Sequence, residues 1–231
     1  MYFAESERLE EVYEKRNNGL YTHFDQGQLY LVQQQDREML GTLRSIGLSA
    51  KKLARMRIFE VGCGTGYLLR NLIQWGADPR LCAGADIRSS AIERGKRISP
   101  NLRMFYADCS DTGELADCYD LVLQNIVFSS VPREHLRRSL AREMVRITKP
   151  GGAILWCDLR YNNPRNQEVR AVGKNELMRL FDDCKLHSCK PILLAPPIAR
   201  KLANISKMMC DILYFFPFLR GHYLAVFFKP T

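Results

Sequence analysis

A doubly wound α/β fold, in which a mostly parallel sheet is covered by helices on both faces, is the class this 231-residue sequence predicts. Three observations carry it. From Arg57 onward, short apolar runs alternate with stretches of helical periodicity, the pattern of strands joined by crossover helices. The runs are nearly continuous in apolar residues rather than alternating, as expected of strands buried on both faces. The first run closes on a turn with three alternating glycines, and the later runs each close on polar residues.

The elements follow in order. Leu29, Val32, Met39, Leu40, Leu43 and Ile46 recur at helical spacing and Gly47 provides a stop, which predicts a helical arm ahead of the sheet. The strand runs are IFEV (58–61), LCAGADI (81–87), LRMFYAD (102–108), YDLVLQN (119–125) and GAILWCD (152–158). Helices are expected over Tyr67 to Trp75, Ser89 to Arg97 and Arg133 to Ile147, the last with Leu136, Leu140, Met144 and Ile147 on one face. Two further strands, HSCKPILLAPP (187–197) and GHYLAVFFKP (221–230), flank a helical piece containing Met208, Met209 and Leu213 and predict an antiparallel edge pair. The cluster LYFFPFL (213–219) is read as cover for the core in preference to a lipid-facing patch.

Bulk properties narrow the function classes. An apolar share of 46% beside 26% charged residues supplies a core and excludes disorder as the main state. The longest uncharged apolar run, Ile212 to Leu219, holds Pro217 and falls well short of the ~20 residues that cross a bilayer. The acidic start, MYFAESERLEEVYEK, has neither the apolar core of a secretory signal nor the basic character of a transit peptide, so a cytoplasmic location is expected. Leu159 to Thr231 holds 12 Lys and Arg against 5 Asp and Glu, most of the net +9, a balance suited to an anionic small substrate, a phospholipid surface or nucleic acid. The eight cysteines form neither a CxxC pair nor a Cys/His ladder, so they are read as reduced thiols with no metal.

The chemistry concentrates in Glu60-Val61-Gly62-Cys63-Gly64-Thr65-Gly66, where the first strand turns into a helix. Glycines there permit positive φ and let a ligand approach the backbone, and the helix start offers free N–H groups. A dinucleotide fingerprint would need its third glycine at position 67, where Tyr67 stands, so pyrophosphate binding is disfavoured. Asp86, Asp108 with Cys109, Gln124 with Asn125, and Asp158 end the other strands and should converge outside the carboxyl edge. Asp86 can accept both hydrogen bonds of a ribose diol. Asp108 can accept from an adenine amine, with Ile87 and Cys109 as apolar contacts to the base.

Together, Glu60 to Gly66, the acidic end of strand two, Ala107-Asp108, YDLVLQNIVFSSVP (119–132) and ITKPGGAILWCD (147–158) resemble class I S-adenosylmethionine-dependent methyltransferases, over roughly residues 55 to 160. The resemblance implies a Rossmann-like seven-stranded sheet of order 3-2-1-4-5-7-6 with strand seven antiparallel. It implies an amino-terminal arm or cap over 1–54 and a methyltransferase domain over 55–231. S-adenosyl-L-methionine is the implied cofactor. Glu60 would support the loop and the amino-acid end, Gly62, Cys63, Gly64 and Gly66 would line the methionine moiety, and Asp86 would hold the ribose. Ile87, Asp108 and Cys109 would hold adenine, and Gln124 would contact the methionine part through its backbone. Tyr13, Tyr21, His23 or Phe24 of the arm would close over it. The flanks look similar to bacterial enzymes of small-molecule, natural-product or surface-glycan pathways.

The reading is an enzyme of biosynthesis that transfers a methyl group to a small acceptor, anionic or sugar-linked, at oxygen. N-methylation of a small molecule, or a non-catalytic cofactor-binding scaffold, are the alternatives. A hydroxyl acceptor would be helped by a base, for which Asp158, His23 and His222 are candidates. Tyr21, Arg160, Asn162, Asn163 and Arg165 are candidates for holding the acceptor, with Arg170 as a further guanidinium for an anion. Asn162-Asn163-Pro164-Arg165 lacks the second proline of base-modifying enzymes and follows strand five rather than strand four, so no nucleic-acid partner is expected. The sequence does not speak to oligomeric state.

Overall fold

The strands anticipated from the apolar runs are β1 (Ile58–Val61), β2 (Cys82–Asp86), β3 (Arg103–Tyr106), β4 (Tyr119–Asn125), β5 (Thr148–Leu159), β6 (Lys185–Leu194) and β7 (Arg220–Phe228). In the computed structural model, which describes residues 7–12, 22–162 and 168–231, they form one sheet of order β3-β2-β1-β4-β5-β7-β6. β1 pairs in parallel with both β2 and β4, so strand order reverses on either side of it. The pairs β2–β3 and β4–β5 are also parallel, whereas β7 runs antiparallel to both β5 and β6. The doubly wound class and the antiparallel edge are as the sequence predicts.

Helices cover both faces. The helical residues 7–12 form α1, followed by α2 (Gln26–Ser45), α3 (Ala50–Leu53), α4 (Tyr67–Gln74), α5 (Ser89–Ile98), α6 (Glu134–Ile147), α7 (Lys174–Leu180), α8 (Pro196–Leu202) and α9 (Lys207–Tyr214). One core layer, with Met39, Leu43, Leu69, Leu72 and Leu224, lies between the sheet and the side bearing α2 and α4. The other, with Phe128, Met144, Trp156, Phe181 and Phe227, lies under α6 and α7. The arm helix α2 starts on Asp25, whose carboxylate accepts from the Gln28 N–H at 2.7 Å. It then crosses α8 so closely that a Cβ on Gly27 would stand 2.3 Å from the Arg200 Cα, which explains a glycine inside that helix.

Two readings need correction. The segment 195–197 is no strand end: Ala195 is a helix N-cap and Pro196 and Pro197 open α8, where a missing N–H costs nothing. The LYFFPFL cluster covers the core only in part. Phe215, Phe216 and Phe218 point into solvent, and only Leu213, Tyr214 and Leu219 pack inward. All eight cysteines are free thiols, and no metal-holding cluster occurs among the described residues. No helix of the described residues is long and apolar enough to cross a membrane.

Candidate functional site

The three glycines after β1 all adopt positive φ, 68° at Gly62, 54° at Gly64 and 79° at Gly66. Such a turn brings bare backbone to the sheet edge at the strand-order reversal, where open α/β sheets bind ligands. Gly66 caps α4 with no side chain of its own, so the N–H groups ahead of Leu69 at the start of that helix have no capping side chain from the N-cap. Glu60 lies beneath. Its carboxyl group is fully buried, accepts from the Leu69 N–H, and leaves Oε2 without a partner. Burial, and secondarily the charge of Asp86, holds this carboxyl well above the usual range, which favours its neutral form.

A cavity enclosing about 890 Å³ of empty space, part of it open to solvent, lies beside the turn. Its wall includes Gly62, Asp86, Ile87, Asp108 and Cys109, five of the residues the sequence singles out. Asp108 accepts from the Ser110 N–H through Oδ1 at 2.8 Å, while its Oδ2 is buried with no partner. An ionised carboxylate oxygen left in that condition is costly unless a donor comes to it. Asp86 is arranged differently from the expectation. Its Oδ2 accepts from the Gly64 N–H at 2.7 Å and its Oδ1 from the Arg88 N–H at 2.9 Å, and the Arg88 guanidinium closes on both oxygens at 3.2 and 3.4 Å. A carboxylate has about four acceptor sites, so a diol reaching Asp86 displaces the guanidinium.

Glu60, Cys63, Gly64, Gly66 and Gln124 are not on the cavity wall. Gln124 is fully buried with both ends of its amide engaged, donating to the Cys157 carbonyl at 3.1 Å and accepting from the Val127 N–H at 3.0 Å. The Cys63 and Cys109 thiols are pushed far up by burial and are inert.

The candidates for catalysis and acceptor binding divide. Asp158 is fully buried, accepts from the Ser129 and Leu159 N–H groups at 3.1 and 2.7 Å, and is absent from the cavity wall. It braces the 3-10 turn Phe128–Ser130 and is out of reach as a base; burial raises its pKa to about 6. His222 is likewise buried in β7 and held neutral, its pKa lowered to about 4 by burial. Arg160 donates to the Pro217 carbonyl at 2.6 Å and stacks between Tyr161 and Tyr223, so it holds a turn rather than facing an acceptor. The Asn162 Oδ1 accepts from the Ala171 N–H at 2.7 Å and braces its own loop. Arg170 pairs with Glu176 at 2.6 Å. Tyr13, Tyr21, Asn163 and Arg165 lie outside the described residues.

His23 is exposed, with its ring centroid 5.9 Å from that of Tyr67 at the start of α4. Beside it, Asn71 donates to Asp36 at 2.9 Å, and burial raises the Asp36 carboxyl above its ordinary value. Phe24 is almost wholly exposed and covers nothing.

Several contributors escape sequence reasoning. Arg88 looks like an ordinary helix-start residue until its pairing with Asp86 is seen. Leu136 and Leu140 of α6 belong to the core layer as their spacing predicts, and they line the cavity as well. Leu9 of α1 also lines it, and α1 is tied across it: Arg8 donates to the Ser130 carbonyl at 2.8 Å, and Glu10 accepts from the Ser90 N–H at 3.1 Å. No periodicity in an acidic six-residue segment announces that placement.

Residues 58–152 match a family model described as a methyltransferase domain. The chain is 33% identical over 118 residues to a phthiotriol/phenolphthiotriol dimycocerosates methyltransferase of Mycobacterium ulcerans, covering 48% of this chain and 41% of that protein. It is 31% identical over 104 residues to a malonyl-[acyl-carrier protein] O-methyltransferase of Halorhodospira halophila, covering 44% and 34%. The chain thus aligns with well under half the length of these relatives. Among solved structures, the N-methyltransferase NodS from Bradyrhizobium japonicum superposes with a TM-score of 0.62 at 16% identity, over 87% of this chain and 97% of that one, which establishes the shared fold. Strand order, glycine turn and family match together define a class I S-adenosylmethionine-dependent methyltransferase domain.

Proposed function

We propose that this chain transfers the methyl group of S-adenosylmethionine to an oxygen atom of a small, anionic acceptor. The observation that carries the cofactor half is the Asp108 Oδ2, a buried acceptor without a partner on the wall of the cavity beside the glycine turn. A donor such as an exocyclic amine satisfies it, with Ile87 and Cys109 against the base. Asp86 would take the ribose once Arg88 withdraws. The glycine turn over the buried Glu60 would take the amino-acid end. When bound, this cofactor supplies a methyl group activated on sulfonium sulfur. The residues of the chain then have to orient the acceptor and exclude water, as in any in-line displacement.

Water exclusion falls to α1, whose Leu9 lines the cavity and whose Arg8 and Glu10 tie it to the Ser130 carbonyl and the Ser90 N–H. His23, next to Tyr67 and Asp36 on the arm side of the glycine turn, is the group proposed to accept the proton of a hydroxyl or acid acceptor. Asp158 positions the Ser129 loop. Oxygen as the target is favoured by the malonyl O-methyltransferase among the relatives, and an anion by exposed Arg133 on the cavity wall. Calorimetry with S-adenosylhomocysteine, followed by turnover on a panel of carboxylate and hydroxyl acceptors, tests the reading. Absence of binding to folded protein ends it. Binding without turnover on any acceptor favours the scaffold alternative.

A further inference from the structure

The chain spends residues 195–219 on a feature that the sheet does not require. β6 and β7 are antiparallel neighbours, paired up to Leu194 and Arg220, and a two-residue turn suffices to join such strands. Instead α8, α9 and the 3-10 turn Pro217–Leu219 are inserted between them. Their inner face is well used. Ala199, Ala203 and Cys210 are buried, the Tyr30 hydroxyl donates to Asp211 at 3.0 Å, and the Tyr214 hydroxyl donates to Glu38 at 2.7 Å. The outer face is apolar and uncovered. Ile205 is 77% exposed, Met208 69%, Phe215 78% and Phe218 65%, with Ile212 and Phe216 also open. Met208, Ile212 and Phe215, on α9 and its C-cap, follow helical spacing and form one stripe, with Ile205 exposed in the turn that precedes the helix.

The stripe is presented on a firm support. Arg220 donates to the Tyr214 carbonyl at 2.8 Å and lies over that ring, and Arg160 fixes the Pro217 carbonyl at 2.6 Å. Large exposed apolar patches on soluble domains mark interaction sites. The charge around this one selects the partner. Lys201 and Lys207 are exposed beside the stripe, and the one acid between Pro196 and Leu219, Asp211, is already bonded to Tyr30. Aromatic and aliphatic side chains rimmed by lysines fit the boundary between acyl chains and anionic headgroups, where rings bury shallowly and cations meet phosphate.

We propose that the outer face of α8, α9 and the Pro217–Leu219 turn docks this protein onto anionic lipid bilayers. The inference is independent of methyl transfer. It is tested on the full chain by flotation with vesicles of phosphatidylcholine alone and of phosphatidylcholine mixed with phosphatidylglycerol. Binding is expected to the mixed vesicles, weakening as salt rises, and little to the neutral ones. The double variant Phe215→Ser/Phe218→Ser is expected to lose about tenfold or more in partitioning. Lys201→Glu/Lys207→Glu should lose at least about fivefold per lysine. Both pairs are exposed, so their thermal melts should match that of the unchanged protein. Equal binding to both vesicle types, or full binding by either double variant, overturns the proposal. So does sedimentation showing a dimer that Phe215→Ser/Phe218→Ser dissociates while no vesicle is bound, because the stripe would then serve a second copy of the chain.

Discussion

Replacing Asp108 by alanine separates a ligand-binding carboxylate from a structural one. In the structure the carboxylate makes one protein hydrogen bond, to the Ser110 N–H, and carries one buried oxygen with none. Deleting it loses about 1 kcal/mol of loop bonding and removes an unsatisfied buried acceptor worth roughly 1–3 kcal/mol in the opposite direction. The ligand-free variant should therefore melt within a few degrees of the unchanged protein. Toward S-adenosylhomocysteine it loses a hydrogen bond to a charged acceptor, about 2 kcal/mol, or roughly thirtyfold in Kd. The two effects are read together in a thermal-shift assay. At a ligand concentration about 100 times the original Kd, stabilisation is about 2.7 kcal/mol, and a thirtyfold weaker site retains about 0.9 kcal/mol. For a chain of this size, each kcal/mol moves Tm by about 2–4 °C, so a shift of roughly 5–11 °C should shrink to about 2–4 °C. An Asp108→Ala protein that is clearly less stable without ligand, yet shows the full ligand shift, would refute the assignment and make Asp108 a loop residue only.

Arg88→Met removes the guanidinium that competes for Asp86, so S-adenosylhomocysteine should bind several-fold more tightly by calorimetry; weaker binding would show that Arg88 serves the ligand. Asp158→Asn should reduce kcat/KM by less than about tenfold, against roughly 10²–10⁴ for loss of a general base. The Asp158 carboxyl titrates at about 6 in the fold instead of 3.8, so the stability it contributes is complete below pH 4 and is lost as pH rises through 6. Urea midpoints of the asparagine variant should accordingly gain on those of the unchanged protein between pH 4 and 7, on the order of 3 kcal/mol at most. His222 has the opposite sign: lowered from 6.5 to about 4, it contributes stability that is present above pH 6.5 and lost as pH falls through 4. His222→Gln should therefore resist acid better than the unchanged protein relative to their stabilities at pH 7, as read by the same midpoints.

The sheet was legible because strands buried on both faces must be apolar throughout, and β1, β2 and β4 show that burial without a break or nearly so. α7 passed unnoticed because seven residues give too few turns for a period. The aromatic cluster was misplaced because helical spacing reports that residues share a face and not what that face meets. Asp158 shows a subtler limit. Polar residues that close strands were expected at the crevice, and Asp86 and Asp108 meet that expectation. β7, however, pairs with β5 as far as Leu159 opposite His222, so Asp158 sits within the ladder, one residue short of its end. A sequence gives the end of an apolar run, whereas the depth of that end depends on a neighbouring strand more than sixty residues away.

The glycine turn itself owes its composition to two different causes. A Cβ on Gly62 would stand 2.3 Å from Val127 Cγ2, and one on Gly66 would stand 2.6 Å from the Met104 sulfur. Protein side chains therefore exclude larger residues at both positions whether or not a ligand is bound. At Gly64 the nearest atoms to such a Cβ are the Arg88 guanidinium at 3.2 Å and the Asp86 carboxylate at 3.9 Å, the two groups that must part to admit a ribose. Val127 is held against Gly62 by the Gln124 amide, which also bonds the Cys157 carbonyl, and Ile126 between them is forced to a φ of 58°. A β-branched residue in that region is strained by roughly 1–2 kcal/mol. Because Ile126, Val127 and Gly62 all line the cavity, that strain fixes the seam between β1 and β4, the point of strand-order reversal. The Gln124 side chain braces that seam, while its backbone remains the part that the resemblance assigns to a cofactor contact.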